Sequence, residues 1–207
     1  MTSPRQPRRL SRDARRQQLV TIAMPIAAER GFADLSLEEV AASADVTRNL
    51  LYHYFPRGRH DLAAATVHEA GRELSADWVI GDPIPPTERL AANFARVVDH
   101  ALTPTNAWRV HRRARAADLP DLNEITANYE EKVITSIALN HLGTADPLPA
   151  VRLALTGYLA FAEATLDQAR RTDVPHEQVI RIVRDALVAT LAAAVEAAHQ
   201  PSNPLEA

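Results

Sequence analysis

The chain has 207 residues, of which 46% are hydrophobic and 24% charged, and it contains no cysteine. This composition fits one or two folded domains and excludes a disordered chain, a disulfide scaffold and a thiolate metal site. The net charge of −3 hides an asymmetry: residues 1–60 carry ten Arg against six Asp and Glu, whereas the remainder carries 13 Lys and Arg against 20 acidic residues.

A basic head on an acidic body suits a nucleic-acid binder with a separate regulatory part. No apolar run reaches membrane length, and the arginine-rich N-terminus lacks the apolar core of a secretory signal, so a cytoplasmic protein is expected.

The pattern is helical throughout, with abundant Ala, scarce Gly and prolines between periodic segments. Residues 1–11 read as a basic arm; Arg5, Arg8, Arg9, Arg12, Arg15 and Arg16 could follow phosphates or enter a minor groove. Leu19, Ile22, Ala23, Ile26 and Ala27 then mark one face of a first helix, bent near residues 21–25 by Pro25 and stopped at Gly31. Ser36-Leu37-Glu38-Glu39 spells a capping box, with the Ser36 hydroxyl accepting from the Glu39 amide and the Glu39 carboxylate reaching back. Leu37, Val40, Ala41 and Ala44 make the buried stripe of that short second helix. After a tight turn, Thr47 caps a third helix to about Tyr54, with Leu50 and Leu51 turned inward.

Six longer helices follow, near 59–80, 87–102, 105–117, 121–142, 147–172 and 175–199. Asp146-Pro147 and Asp173-Val174-Pro175 provide starts for the last two. The segment Gly81-Asp82-Pro83-Ile84-Pro85-Pro86 reads as a rigid loop. The fold expected is all-α with nine or ten helices.

Two short helices joined by a turn of three or four residues beside a basic terminus form a helix-turn-helix. The major groove of a duplex admits one helix, so the second of the pair has to present polar side chains outward. Arg48, Asn49 and His53 do so, while Leu51 and Phe55 anchor inward.

The run Val40-Ala41-Ala42-Ser43-Ala44-Asp45-Val46-Thr47, followed by Leu51-Tyr52-His53-Tyr54-Phe55-Pro56, resembles the signature of the tetracycline-repressor (TetR) family. Ala28-Glu29-Arg30-Gly31-Phe32 resembles that family's end of helix 1, and the likeness covers about residues 15–65. The resemblance implies that Thr47 and Tyr52 touch phosphates, that Arg48 and Asn49 face base edges, and that His53 lies at the boundary between them. Ser36, at the head of the second helix, joins this set.

Two departures stand out. Asp45 occupies a position usually held by Gly, where φ is often positive, and it adds a negative charge near phosphates. Arg57-Gly58-Arg59 replaces Ser-Lys-Glu, so Arg57 or Arg59 substitutes for the customary lysine contact.

The resemblance further implies a three-helix DNA-binding domain over residues 1–58 and a ligand-binding and dimerisation domain over 59–207. The expected protein is a homodimer on a palindromic double-stranded DNA operator, acting as a repressor and released by a small-molecule effector. Trp78, Phe94, Trp108, His111, Tyr129, Tyr158 and Phe161 are its expected ligand-contact residues. Two apolar stripes in the terminal helices, including Leu159, Leu166, Val183, Leu187 and Leu191, are the expected dimer interface. The Arg109–Arg115 cluster reads as a solvated basic face.

His60-Asp61 and Asp99-His100 lack a third partner and a metal-ligand spacing, and no glycine-rich phosphate loop is present, so neither an enzyme nor a cofactor is expected. The alternatives are a helical small-molecule-binding protein or enzyme that keeps the head without repressing, and an activator.

Overall fold

The computed structural model describes residues 10–76 and 86–199. Among them are nine helices and no strand: α1 (Arg12–Arg30), α2 (Leu37–Ser43), α3 (Arg48–Tyr54), α4 (Arg59–Ala76), α5 (Pro86–Leu102), α6 (Asn106–Ala116), α7 (Pro120–Leu142), α8 (Pro149–Ala169) and α9 (His176–His199). The all-α reading therefore holds. The expected residues Arg5, Arg8, Arg9 and Trp78, and the loop at 81–85, lie outside the described residues. No described helix is long and apolar enough to cross a membrane.

The chain divides into two compact units, Met1–Glu73 with Arg109–Thr126, and Leu74–Trp108 with Ala127–Ala207. In the first unit, Ser11 caps α1 by accepting from the Ala14 amide at 3.2 Å. The helix continues through Pro25 to Arg30, and Gly31 closes it at φ +87°. Leu19, Ala23 and Ala27 of α1, Val40 of α2, Leu51 of α3 and Leu62 of α4 are all buried. Phe55 is buried as well, with the Arg16 guanidinium 5.4 Å from its ring centroid.

The α6–α7 corner also belongs to this unit. Arg113 donates from Nε and Nη2 to the carbonyls of Ala28 (3.0 Å) and Glu29 (2.9 Å), satisfying acceptors that the end of α1 leaves open.

The α2–α3 turn explains Asp45. Its φ is +52°, its amide donates to the Ala42 carbonyl (3.2 Å), and the Val46 amide donates to the Ala41 carbonyl (3.0 Å). These are the two bonds of a Schellman motif, in which the left-handed residue is usually Gly. Asp tolerates this conformation better than most residues, at a cost of roughly 1 kcal/mol.

In the second unit, α5, α8 and α9 pack on one another. The core there gathers Phe94, Val98, Ile134, Leu155, Tyr158 and Leu187, among others.

Three local readings are corrected. The capping box is half made: Ser36 Oγ accepts from the Glu39 amide at 3.3 Å, but the Glu39 carboxylate pairs with Arg30 instead of reaching back. Thr47 occupies the N-cap of α3 without a side-chain cap bond. Helix α8 starts at Pro149 after Leu148, because this second proline is the one seated in the first turn; Asp146 instead accepts from Arg152 at 3.3 Å.

Candidate nucleic-acid interface

Helix α3 spans only seven residues, two turns, and buries Leu51 against its own unit. Leu50 and Tyr54 are half-buried, whereas Arg48, Asn49, Tyr52 and His53, with the N-cap residue Thr47, are exposed. They share one end of the unit with Ser36, which is half-buried at the N-cap of α2. His53 stands edge-on to Tyr54, with ring centroids 5.4 Å apart.

Arg48 is held on this surface. Its Nη2 donates to the Tyr52 hydroxyl at 3.0 Å, its Nη1 meets Glu38 Oε1 at 2.8 Å, and its guanidinium lies 5.5 Å from the Tyr52 ring centroid. The Glu38 carboxyl sits below the ordinary carboxylate range. Its own backbone N–H is the largest cause, with Ser36 and Arg48 adding to it.

Gly58 fixes the turn behind the face. It adopts φ +61°, and a Cβ there would come within 3.2 Å of both Leu37 Cδ1 and Tyr52 Cε1. A side chain at this position would therefore press on Tyr52 as well as strain the backbone.

Arg57 and Arg59 are exposed but already engaged. Arg57 donates from its backbone amide (2.8 Å) and Nε (2.7 Å) to Asp61, and from Nη1 to Asp121 Oδ2 (3.3 Å). The backbone amide of Arg57 is the main reason the Asp61 carboxyl is held below its usual range. His60 Nε2 also lies 3.2 Å from Asp121 Oδ2. Arg59 donates to the Ala33 carbonyl.

Asp61 thus binds Arg57, and His60 lies against Asp121, which Arg57 also reaches. Among the described residues no group of three or more His, Cys, Asp or Glu is placed to hold a metal.

The expected ligand-contact residues separate. Phe94 and Tyr158 are buried in the core of the second unit and Trp108 packs against it. Tyr158 donates its hydroxyl to the Val183 carbonyl at 3.0 Å, and burial pushes its phenol pKa up. Trp108 Nε1 is buried without a hydrogen-bond partner.

Tyr129 is half-buried beneath Lys132, whose ammonium is 4.8 Å from the ring centroid. Phe161 does not join this core: it is 44% exposed on the outer face of α8. His111 belongs to the first unit. Its pKa is lowered to about 4, by burial first and then by Arg115 and Arg112.

The expected dimer stripe lies inside the protomer. Leu166, Val183, Leu187 and Leu191 are buried in the core of the second unit, and Leu159 packs against it. The periodic stripe marks the face that each helix turns toward its own chain. The outward apolar side chains are others: Leu153 (75% exposed) and Phe161 on α8, and Ile182 and Val188 on α9. Gly157 and Ala160 lie between Leu153 and Phe161 on α8 and Ala164 just beyond, all exposed, and a Cβ built on Gly157 meets nothing within 4 Å.

Three contributors lacked a sequence signal. Glu38 stands ten positions before Arg48 across a turn, where no spacing rule pairs charges. Arg113 was hidden in a basic run, and Asp121 pairs with residues more than sixty positions away.

The family model for bacterial regulatory proteins of the tetR family matches residues 19–66. An HTH-type transcriptional regulator of Mycobacterium tuberculosis is 32% identical over 197 residues, covering 85% of this chain and 91% of that protein. The HTH-type transcriptional regulator BetI of Brucella anthropi is 36% identical over 83 residues, which span 39% of this chain and 42% of BetI. A tetR-family transcriptional regulator from Streptomyces coelicolor superposes with a TM-score of 0.73 at 23% identity, over 91% of this chain and 85% of the other. The multidrug binding protein EbrR, in complex with ethidium, gives a TM-score of 0.63 at 21% identity, over 85% of this chain and 98% of EbrR. The chain belongs to the tetR family of bacterial regulatory proteins and is a DNA-binding transcriptional regulator.

Proposed function

We propose that the protein is a cytoplasmic, ligand-responsive repressor that binds a palindromic operator as a two-fold dimer and is released by a small molecule. The observation that carries the DNA half is the outward set Thr47, Arg48, Asn49, Tyr52 and His53 on a two-turn helix anchored by Leu51. Arg48 and Asn49 reach base edges, Thr47 and Tyr52 reach phosphates, and His53 meets the boundary between them.

Ser36, Arg57 and Arg59 contribute at the edges of this surface. Arg57 and Arg59 keep unused N–H donors beside their bonds to Asp61, Asp121 and the Ala33 carbonyl, and with these they reach phosphates. Residues 1–58, with Arg59 at the head of α4, supply the DNA contacts. Residues 59–207 supply sensing and dimerisation, apart from α4 up to Glu73 and the α6–α7 corner, which belong to the first unit.

Dimerisation is assigned to the outer faces of α8 and α9, through Leu153, Phe161, Ile182 and Val188 with the small residues between them. The exposure of these apolar side chains supports an interaction surface there. The symmetry of a two-fold dimer would match an inverted-repeat operator.

The ligand half is supported by the apolar core around Phe94 and Tyr158 and by the unpaired indole N–H of Trp108, since a buried donor without a partner is costly. The multidrug binding protein EbrR, a structural neighbour, was crystallised with ethidium and with imidazole. A tenfold loss of operator affinity on ligand binding needs about 1.4 kcal/mol of coupling between the two sites.

The test is selection of the purified protein against random duplex DNA, read by sequencing. An enriched inverted repeat is the expected result. A folded protein that enriches no sequence would reject the operator reading.

A further inference from the structure

The side chain of Arg48 is fixed before any DNA arrives. Ser36 Oγ donates to Glu38 Oε2 at 3.2 Å, Glu38 Oε1 meets Arg48 Nη1 at 2.8 Å, and Arg48 Nη2 donates to the Tyr52 hydroxyl at 3.0 Å. These contacts run across the exposed ends of α2 and α3. A guanidinium has five N–H donors in a rigid plane. Tyr52 takes one hydrogen of Nη2 and Glu38 pairs with Nη1 through charge, so each terminal nitrogen keeps at least one hydrogen. Two such hydrogens match the O6 and N7 acceptors on the major-groove edge of guanine.

Glu38 is an odd residue to find here if affinity alone matters. Its carboxylate, with a side chain 58% exposed, lies on a surface assigned to phosphates and repels them. A charge that weakens binding to every duplex but favours one base improves discrimination.

We infer that Glu38 is a positioning residue for base readout, which orients the Arg48 guanidinium and sharpens the preference for guanine at the base pair Arg48 reads. This rests on the reading that α3 enters the major groove of an operator. Glu38 touches no base in this arrangement and acts through Arg48.

The experiment compares wild type, Glu38→Ala and Glu38→Gln, each with Arg48 intact and with Arg48→Ala. Each protein is selected against random duplexes, and its affinity for a duplex without the selected site is measured at fixed salt. Circular dichroism melting checks that each variant is folded.

Glu38→Ala is expected to lower guanine preference at the two symmetry-related positions by about five- to tenfold, the scale of one base contact. Its affinity for non-specific DNA should rise. Glu38→Gln keeps the side chain's size but removes the charge that pairs with Nη1, so it should lose most of the preference, as Glu38→Ala does, while gaining the same non-specific affinity. In the Arg48→Ala background the three proteins should share one base profile.

A wild-type profile in folded Glu38→Ala would overturn the inference, as would a profile change that persists after Arg48→Ala. Failure of the wild type to enrich any site would reject the operator reading, and this inference with it. An enriched site that is indifferent to Glu38 rejects the inference alone.

Discussion

The two units expose opposite chemistry on equally regular helices. The outer face of α3 in the first unit carries Arg48, Asn49, Tyr52 and His53, with Arg48 held by Glu38 and Tyr52. The outer face of α8 in the second carries Leu153, Gly157, Ala160 and Phe161. A polar face of this kind recognises a partner by hydrogen-bond identity, residue by residue. An apolar one recognises by area and shape, so individual identities matter less. On α8 the difference between core and surface is two positions: Leu155 is fully buried and Leu153 is 75% exposed.

The largest test of that contrast is a pair of charge insertions in the second unit. Leu187 is 1% exposed, so Leu187→Glu buries an unpaired carboxylate and should unfold the unit, seen as loss of the cooperative thermal transition. Leu153→Glu should leave that transition near wild type while converting the dimer to monomers by light scattering. A folded, dimeric Leu153→Glu would place the interface elsewhere.

A smaller effect concerns pH in the first unit. The pKa of His111 is lowered to about 4 from its ordinary value of 6.5, chiefly by burial, so the folded protein holds it neutral where the unfolded chain protonates it. The stability this contributes is present above about pH 6.5 and is lost as pH falls toward about 4. Urea melts at pH 7.5 and 5 should show that loss, and His111→Gln should flatten it. An identical pH slope in the variant would assign the loss to other groups.

The smallest effect is at the turn. Asp45→Gly removes a side chain from φ +52° and a negative charge from the end proposed to face DNA. It should raise the melting temperature by a few degrees, the scale of about 1 kcal/mol, and tighten DNA binding in a gel shift. Weaker DNA binding would mean that Asp45 orders the turn through its side chain.

How much was legible follows the same division. The helix-turn-helix was readable because its turn, caps and anchors are fixed residue types at fixed spacings: Ser36, the left-handed position at Asp45, Leu51, Phe55 and Gly58. The outward direction of Arg48, Asn49 and His53 followed from Leu51 facing in.

The terminal helices were readable as helices but not as surfaces. Leu166, Val183, Leu187 and Leu191 form a periodic stripe, and periodicity says only that one face is buried, not whether the same chain or a partner buries it. Phe161 is expected in a pocket through the family resemblance, which does not say which aromatic side chain its own helix turns inward. Arg113 and Asp121 act on residues far away in sequence, where pairing depends on tertiary packing. Glu38 was read only as part of a helix start, since its contact with Arg48 exists only once α2 and α3 have packed.

The most direct measurement of the central claim is sedimentation of wild type and Arg48→Ala with a duplex carrying the selected inverted repeat, at fixed salt. The account predicts two protomers per duplex for the wild type. For Arg48→Ala it predicts a two-protomer particle with operator affinity reduced by about tenfold or more. Wild-type protomers binding the duplex singly, or Arg48→Ala binding it as well as wild type does, would contradict the account.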